Sequence, residues 1–157
     1  MSTVDLVETI LRWRTDLNAP SRRKSHAVKR ALGGRDVFDE MAEDLLLHMR
    51  KEEGMLFPYI KRLEKAAESS CVPMVPPFGT VRNPIHVMMQ EHDAADEQFR
   101  EMREVTGDYS LPAEACPSFK GLYAGLQDLE KDLHRHVHLE NNVLFPCSQE
   151  LEKRVFE

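Results

Sequence analysis

Cysteine is scarce in this chain. The three present, Cys71, Cys116 and Cys147, show no C-x-x-C or other close spacing, which argues against both a thiolate zinc site and a disulfide framework. Cys147 is a candidate redox thiol, although a cysteine in such a setting is more often simply packed. Positive charge is also short: 21 Lys+Arg against 27 Asp+Glu give a formal charge of -6, which argues against nucleic acid or an anionic membrane as partner. The one basic run, Arg22-Arg23-Lys24 with Lys29 and Arg30, reads as a solvated surface. No apolar run approaches the roughly 18 residues of a membrane span, and no signal-peptide pattern is present. The chain is therefore expected to be soluble and cytoplasmic.

A length of 157 residues, 41% hydrophobic and 31% charged, suits a single domain over 1–157 that buries its own core. No strand-like alternation competes with helical periodicity. Residues 3–18 carry Leu6, Ile10, Trp13 and Leu17 on one helical stripe, and Arg22 to Leu32 suggests a basic helical piece ended by Gly33-Gly34. A long stripe follows through Phe38, Met41, Leu45, His48, Glu52, Met55, Tyr59 and Leu63, with a kink or a new turn expected at Pro58. The proline-rich stretch 69–84 reads as a loop. Pro84 suits the first turn of a helix with the stripe Ile85, Met88, His92, Ala95, Phe99 and Met102. Gly107 to Ser110 should close it. After Pro112 to Pro117 a final stripe runs Phe119, Leu122, Leu126, Leu129, Leu133, His136, Glu140, Val143 and Cys147. The fold class is all-α, as an up-down antiparallel four-helix bundle.

Two segments repeat. His48 to Pro58, HMRKEEGMLFP, and His136 to Pro146, HVHLENNVLFP, share H-x-x-x-E-x-x-x-L-F-P. Residues four apart lie on one helical face, so each copy offers an imidazole and a carboxylate to one point. Together with His92 they put His48, Glu52, His136 and Glu140 on apolar stripes, where an unpaired carboxylate is costly. A single core histidine is more often a packing residue, but five polar groups on converging stripes suit a shared metal. Imidazole and carboxylate without thiolate favour iron or manganese over zinc. Two bridging carboxylates would hold two ions and leave room for an oxo or hydroxo bridge or a small molecule. His86, His134 and His138 fall on outward faces, and His26 reads as an ordinary surface residue. His134 and His138, also four apart, are a weaker alternative metal pair.

HMRKEEGMLFP, NPIHVMMQEHDAAD, PAEACPSFKGLYAGL and HVHLENNVLFP together resemble the hemerythrin-like domain of the iron–sulfur cluster repair di-iron family, from about Asp36 to Pro146. The resemblance implies a non-haem di-iron centre. In it His48 and His136 are terminal iron ligands, Glu52 and Glu140 bridge, and His92 joins from the third helix. Glu91 and Asp44 match groups that support the ligands or line access to them. Two departures stand out. The family's first-helix histidine, in a stretch like R-Y-H, is replaced by Arg12-Trp13-Arg14, with His26 or Asp16 as substitutes, and the family's N-terminal domain with a cysteine pair is absent. The implied function is repair of iron–sulfur clusters or a response to nitric oxide or oxidative stress, with iron–sulfur proteins as partners. The alternative is an oxygen or nitric oxide carrier or sensor. Whether the chain is an enzyme is left open.

Overall fold

The computed structural model describes residues 26–69 and 74–157, with side chains from residue 37 onward. Every regular element among them is helical. These are α1 (His26–Lys51), a π-helical turn (Glu52–Leu56), α2 (Phe57–Ser69), α3 (Arg82–Thr106), α4 (Pro117–Leu139), a second π-helical turn (Glu140–Leu144) and α5 (Phe145–Phe156). Helix α1 runs through Gly33-Gly34 without the break expected there. Two glycines lower helix propensity by only about 1 kcal/mol each, which a helix of 26 residues can absorb. The stripe expected over residues 3–18 lies outside the described residues. Pro84 stands in the first turn of α3, as its missing N–H allows.

By their contacts the described residues form two compact units, those up to Glu43 with Ala95–Arg135, and those of Asp44–Ala94 with His136–Glu157. In the first, the buried apolar side chains come from the expected stripes: Phe38 and Met41, then Phe99 and Met102, then Phe119, Leu122, Leu126, Leu129 and Leu133. The end of α3 is fixed by Gly107, Asp108 and Tyr109, with φ of 62°, 54° and 57°. Gly107 takes the left-handed position that commonly closes a helix. Tyr109 then packs edge-on against Tyr123, while Arg103 donates to the buried Glu130 carboxylate at 2.8 Å.

The second unit has its own core of Leu56, Tyr59, Ile60, Leu63, Val81, Ile85, Met88 and Phe145. Glu152 ties it together by accepting hydrogen bonds from the Tyr59 hydroxyl at 2.7 Å and the Val81 amide at 2.8 Å. The two π turns control which residues reach this core. A π turn holds one residue more than an α turn, so it rotates everything after it by about a residue's step. Leu56 is therefore buried where a continuous α stripe would bury Met55, and Phe145 and Ser148 are buried where Val143 and Cys147 were expected. Val143 is 53% exposed and Cys147 is exposed. The packed-cysteine reading of Cys147 is thus corrected.

Candidate metal centre

Each copy of the repeat enters its π turn at the glutamate. In the first, the Phe57 amide bonds back five residues to the Glu52 carbonyl, and in the second the Phe145 amide does the same to Glu140. Pro58 and Pro146 follow directly. A proline has no N–H to give a carbonyl one turn back, and the widened turn ahead of each one accommodates that loss. The expected new turn at Pro58 is therefore a π turn ending just before it. Such bulges are frequent at functional sites.

Four of the five expected residues, His48, Glu52, His92 and Glu140, are buried and bring donor atoms within 4.8 Å of one another. His136 completes the set. Its Nε2 lies 3.1 Å from Glu140 Oε1 and 3.5 Å from Glu52 Oε2. The other oxygens face the remaining rings, Glu52 Oε1 at 3.2 Å from His48 Nε2 and Glu140 Oε2 at 3.2 Å from His92 Nε2. Each carboxylate thus spans two imidazoles, the arrangement asked of a bridging ligand.

Both Glu52 oxygens, Glu140 Oε2 and His136 Nε2 are buried without a hydrogen bond, despite these short distances. They converge but are out of line for proton sharing. Orphaned carboxylate oxygens in a dry interior cost several kcal/mol unless something else satisfies them, and a cation at their common focus would do so. His48 Nε2 and His92 Nε2 stand 3.1 Å apart, close to the roughly 3 Å expected for two nitrogens at right angles on one ion with bonds of about 2.1 Å. The donor set therefore fits a metal.

Outer contacts aim the rings. Nδ1 of His48 donates to Glu91 Oε2 at 2.9 Å, and Lys51 holds the other oxygen of that carboxylate. Nδ1 of His92 donates to Asn141 Oδ1 at 3.1 Å. Both bonds leave Nε2 pointing inward, and support of this kind is general for metal-bound imidazoles. Glu91 is reached through the family resemblance; helical spacing puts Asn141 on the outward face with His134 and His138, and the structure corrects this by turning it to His92. Its only signal is its place beside Glu140. Asp44 is exposed.

The groups also charge one another. The carboxylates of Glu140 and then Glu52 push the His136 pKa up to about 10. Burial lowers that of His48, but Glu52 and Glu91 outweigh it and the net shift is upward. Burial favours neutral Glu140, yet His136 and His92 bring its pKa down to about 2. Among the five, His136 alone is appreciably exposed, its side chain 26% accessible against 6% or less for the others.

The outward histidines stay outward. His134 faces Asp96 at 3.2 Å and His138 faces Asn142 at 3.2 Å, so the alternative pair is not brought to one point. His86 is exposed. The side chains of His26 and Asp16 lie outside the described residues.

A family model, the hemerythrin HHE cation binding domain, matches residues 6–148. The chain belongs to that family. Among curated relatives, it is 38% identical over 109 residues to the "Iron-sulfur cluster repair protein DnrN" of Neisseria gonorrhoeae, covering 68% of this chain and 59% of the other. It is 38% identical over 108 residues to a "Probable iron-sulfur cluster repair protein" of Haemophilus influenzae, covering 69% and 43%. It is 36% identical over 132 residues to the "Iron-sulfur cluster repair protein YtfE" of Enterobacter sp., covering 83% and 54%. The chain spans about half the length of these relatives. The match to a cation-binding family spans the buried His/Glu cluster, and the cluster is suited to a di-iron site. No helix among the described residues is long and apolar enough to cross a membrane.

Proposed function

We propose that His48, Glu52, His92, His136 and Glu140 hold a non-haem di-iron centre, with Glu52 and Glu140 bridging, and that the protein uses it in repair of iron–sulfur clusters under nitrosative or oxidative stress in the cytoplasm. The observation that carries the ligand assignment is the pair of buried carboxylates, each set between two imidazoles with oxygens that have no hydrogen bond. The names of the relatives support the repair reading. In this reading the chain is an up-down four-helix bundle, and His26 or Asp16 supplies a further ligand.

Bound iron would supply redox chemistry and an open position for a small molecule such as nitric oxide or oxygen. The chain's own residues do the rest. Glu91 and Asn141 keep the two inner rings turned with Nε2 inward, the apolar neighbour Phe145 keeps water from His92, and partly exposed His136 marks the side on which iron or a small ligand can exchange. Phe145 lies parallel to the His92 ring, with centroids 6.0 Å apart.

The test is iron transfer. Protein loaded with iron and reduced without air should hand iron to an apo-cluster protein and restore its cluster. Retention of all iron through both redox states, with a stable spectrum on exposure of the reduced protein to oxygen, would instead favour the carrier reading.

A further inference from the structure

The two copies of the repeat are not equivalent immediately after their glutamates. The residue following Glu52 is Glu53, which is exposed, whereas the residue following Glu140 is Asn141, which turns inward to His92. Consecutive residues on a helix point about 100° apart, so two neighbours can reach one ring from different sides. Here the second π turn, Glu140–Leu144, brings both Glu140 and Asn141 to the same ring: Glu140 Oε2 lies 3.2 Å from His92 Nε2 and Asn141 Oδ1 lies 3.1 Å from its Nδ1.

The supports form a chain. Helix α3 places Glu91 against the ring of His48 on α1, and the π turn after α4 places Asn141 against the ring of His92 on α3. They differ in charge: Glu91 is a carboxylate and Asn141 a neutral amide. A charged acceptor makes the stronger hydrogen bond and pulls more proton density from Nδ1, which makes the opposite nitrogen the better donor.

We infer that Asn141 is a positioning residue. Its carbonyl oxygen holds His92 with the proton on Nδ1 and Nε2 free for the ion, and its neutrality makes His92 the weaker donor of the two supported rings. This rests on the di-iron reading above and adds to it an inequality between two of the imidazole donors.

The test uses the full chain with Fe(II) or Co(II) as the probe. Chelator competition should show Fe(II) binding about 10- to 100-fold weaker in Asn141→Leu, and near or above the wild-type level in Asn141→Asp, which restores an acceptor. In the Co(II) protein the shifted, exchangeable Nδ1 proton of His92 should be visible in the proton NMR spectrum of wild type and Asn141→Asp. It should be lost to solvent exchange in Asn141→Leu. A residue that only packs would leave that signal in place. Asn141→Leu binding like wild type with the signal retained overturns this inference alone, as does Asn141→Asp behaving like Asn141→Leu. A wild-type chain that takes up neither metal overturns the di-iron reading and this inference together.

Discussion

Glu91 accepts a hydrogen bond from Nδ1 of His48 at 2.9 Å, and the residue beside it, His92, sends Nε2 to within 3.1 Å of His48 Nε2. One helix thus aims an imidazole from a neighbouring helix with one residue and faces it with the next. Glu91→Gln keeps the shape but removes the charge and weakens the acceptor. Iron affinity should fall by about 10-fold, within the 10- to 100-fold usual for such supports, with the fold unchanged. Chelator competition on the purified variant measures it, and unchanged affinity would remove Glu91 from the account.

The two carboxylates set between imidazoles should matter more. Glu52→Ala or Glu140→Ala should cost most of the bound iron, because each removes an oxygen pair set between two rings. His134→Ala and His138→Ala should retain it, since their rings face Asp96 and Asn142 instead. Metal content per chain after anaerobic purification separates the two groups.

The metal-free protein should respond to pH on both sides of neutrality. His136 rises from 6.5 to about 10. Its contribution to stability is therefore complete below 6.5 and is lost as pH climbs through about 10. Glu140 falls from 4.5 to about 2, so its contribution is complete above 4.5 and is lost as pH drops through about 2. The melting temperature of the iron-free chain should decline above 6.5 and again below 4.5. Iron binding has the opposite dependence near neutrality, because a metal ligand must be deprotonated. Uptake at pH 7 should release protons, which titration calorimetry in buffers of different ionisation enthalpy can count.

The π turns give a contrast between two small changes at one residue. A methyl group on Gly54 would meet nothing within 4 Å, and glycine within a helix costs roughly 0.5–1 kcal/mol relative to alanine. Gly54→Ala should raise stability by about that much and keep iron. Deleting Gly54 should return the turn to α geometry and rotate Leu56, Tyr59 and Leu63 away from the core they share with Ile85 and Phe145. Loss of each large core side chain costs about 2–5 kcal/mol, so this variant should unfold or lose its metal. Denaturant titration of both proteins provides the check.

Much of this was legible in the sequence because helical periodicity is a local signal. The stripes of α3 and of α4 as far as Leu133 name residues that are buried, and the repeat picks out His48, Glu52, His136 and Glu140, of which His136 is only partly buried. The π turns were not legible. An extra residue in a helix leaves the hydrophobic pattern plausible in either register, so Met55, Val143 and Cys147 were assigned to a core that Leu56, Phe145 and Ser148 occupy. Gly33-Gly34 read as a break because propensity was weighed without the rest of the helix. Asn141 is hidden for a third reason: its role depends on a ring from another helix, and the spacing within its own π turn carries no trace of it.

The central claim is that two carboxylates and three imidazoles converge because iron holds them. Iron analysis with Mössbauer spectroscopy on protein prepared without oxygen tests it most directly. The account predicts two coupled irons per chain, and their loss in Glu52→Ala. A chain that stays iron-free, with a melting temperature unmoved by Fe(II), would contradict it.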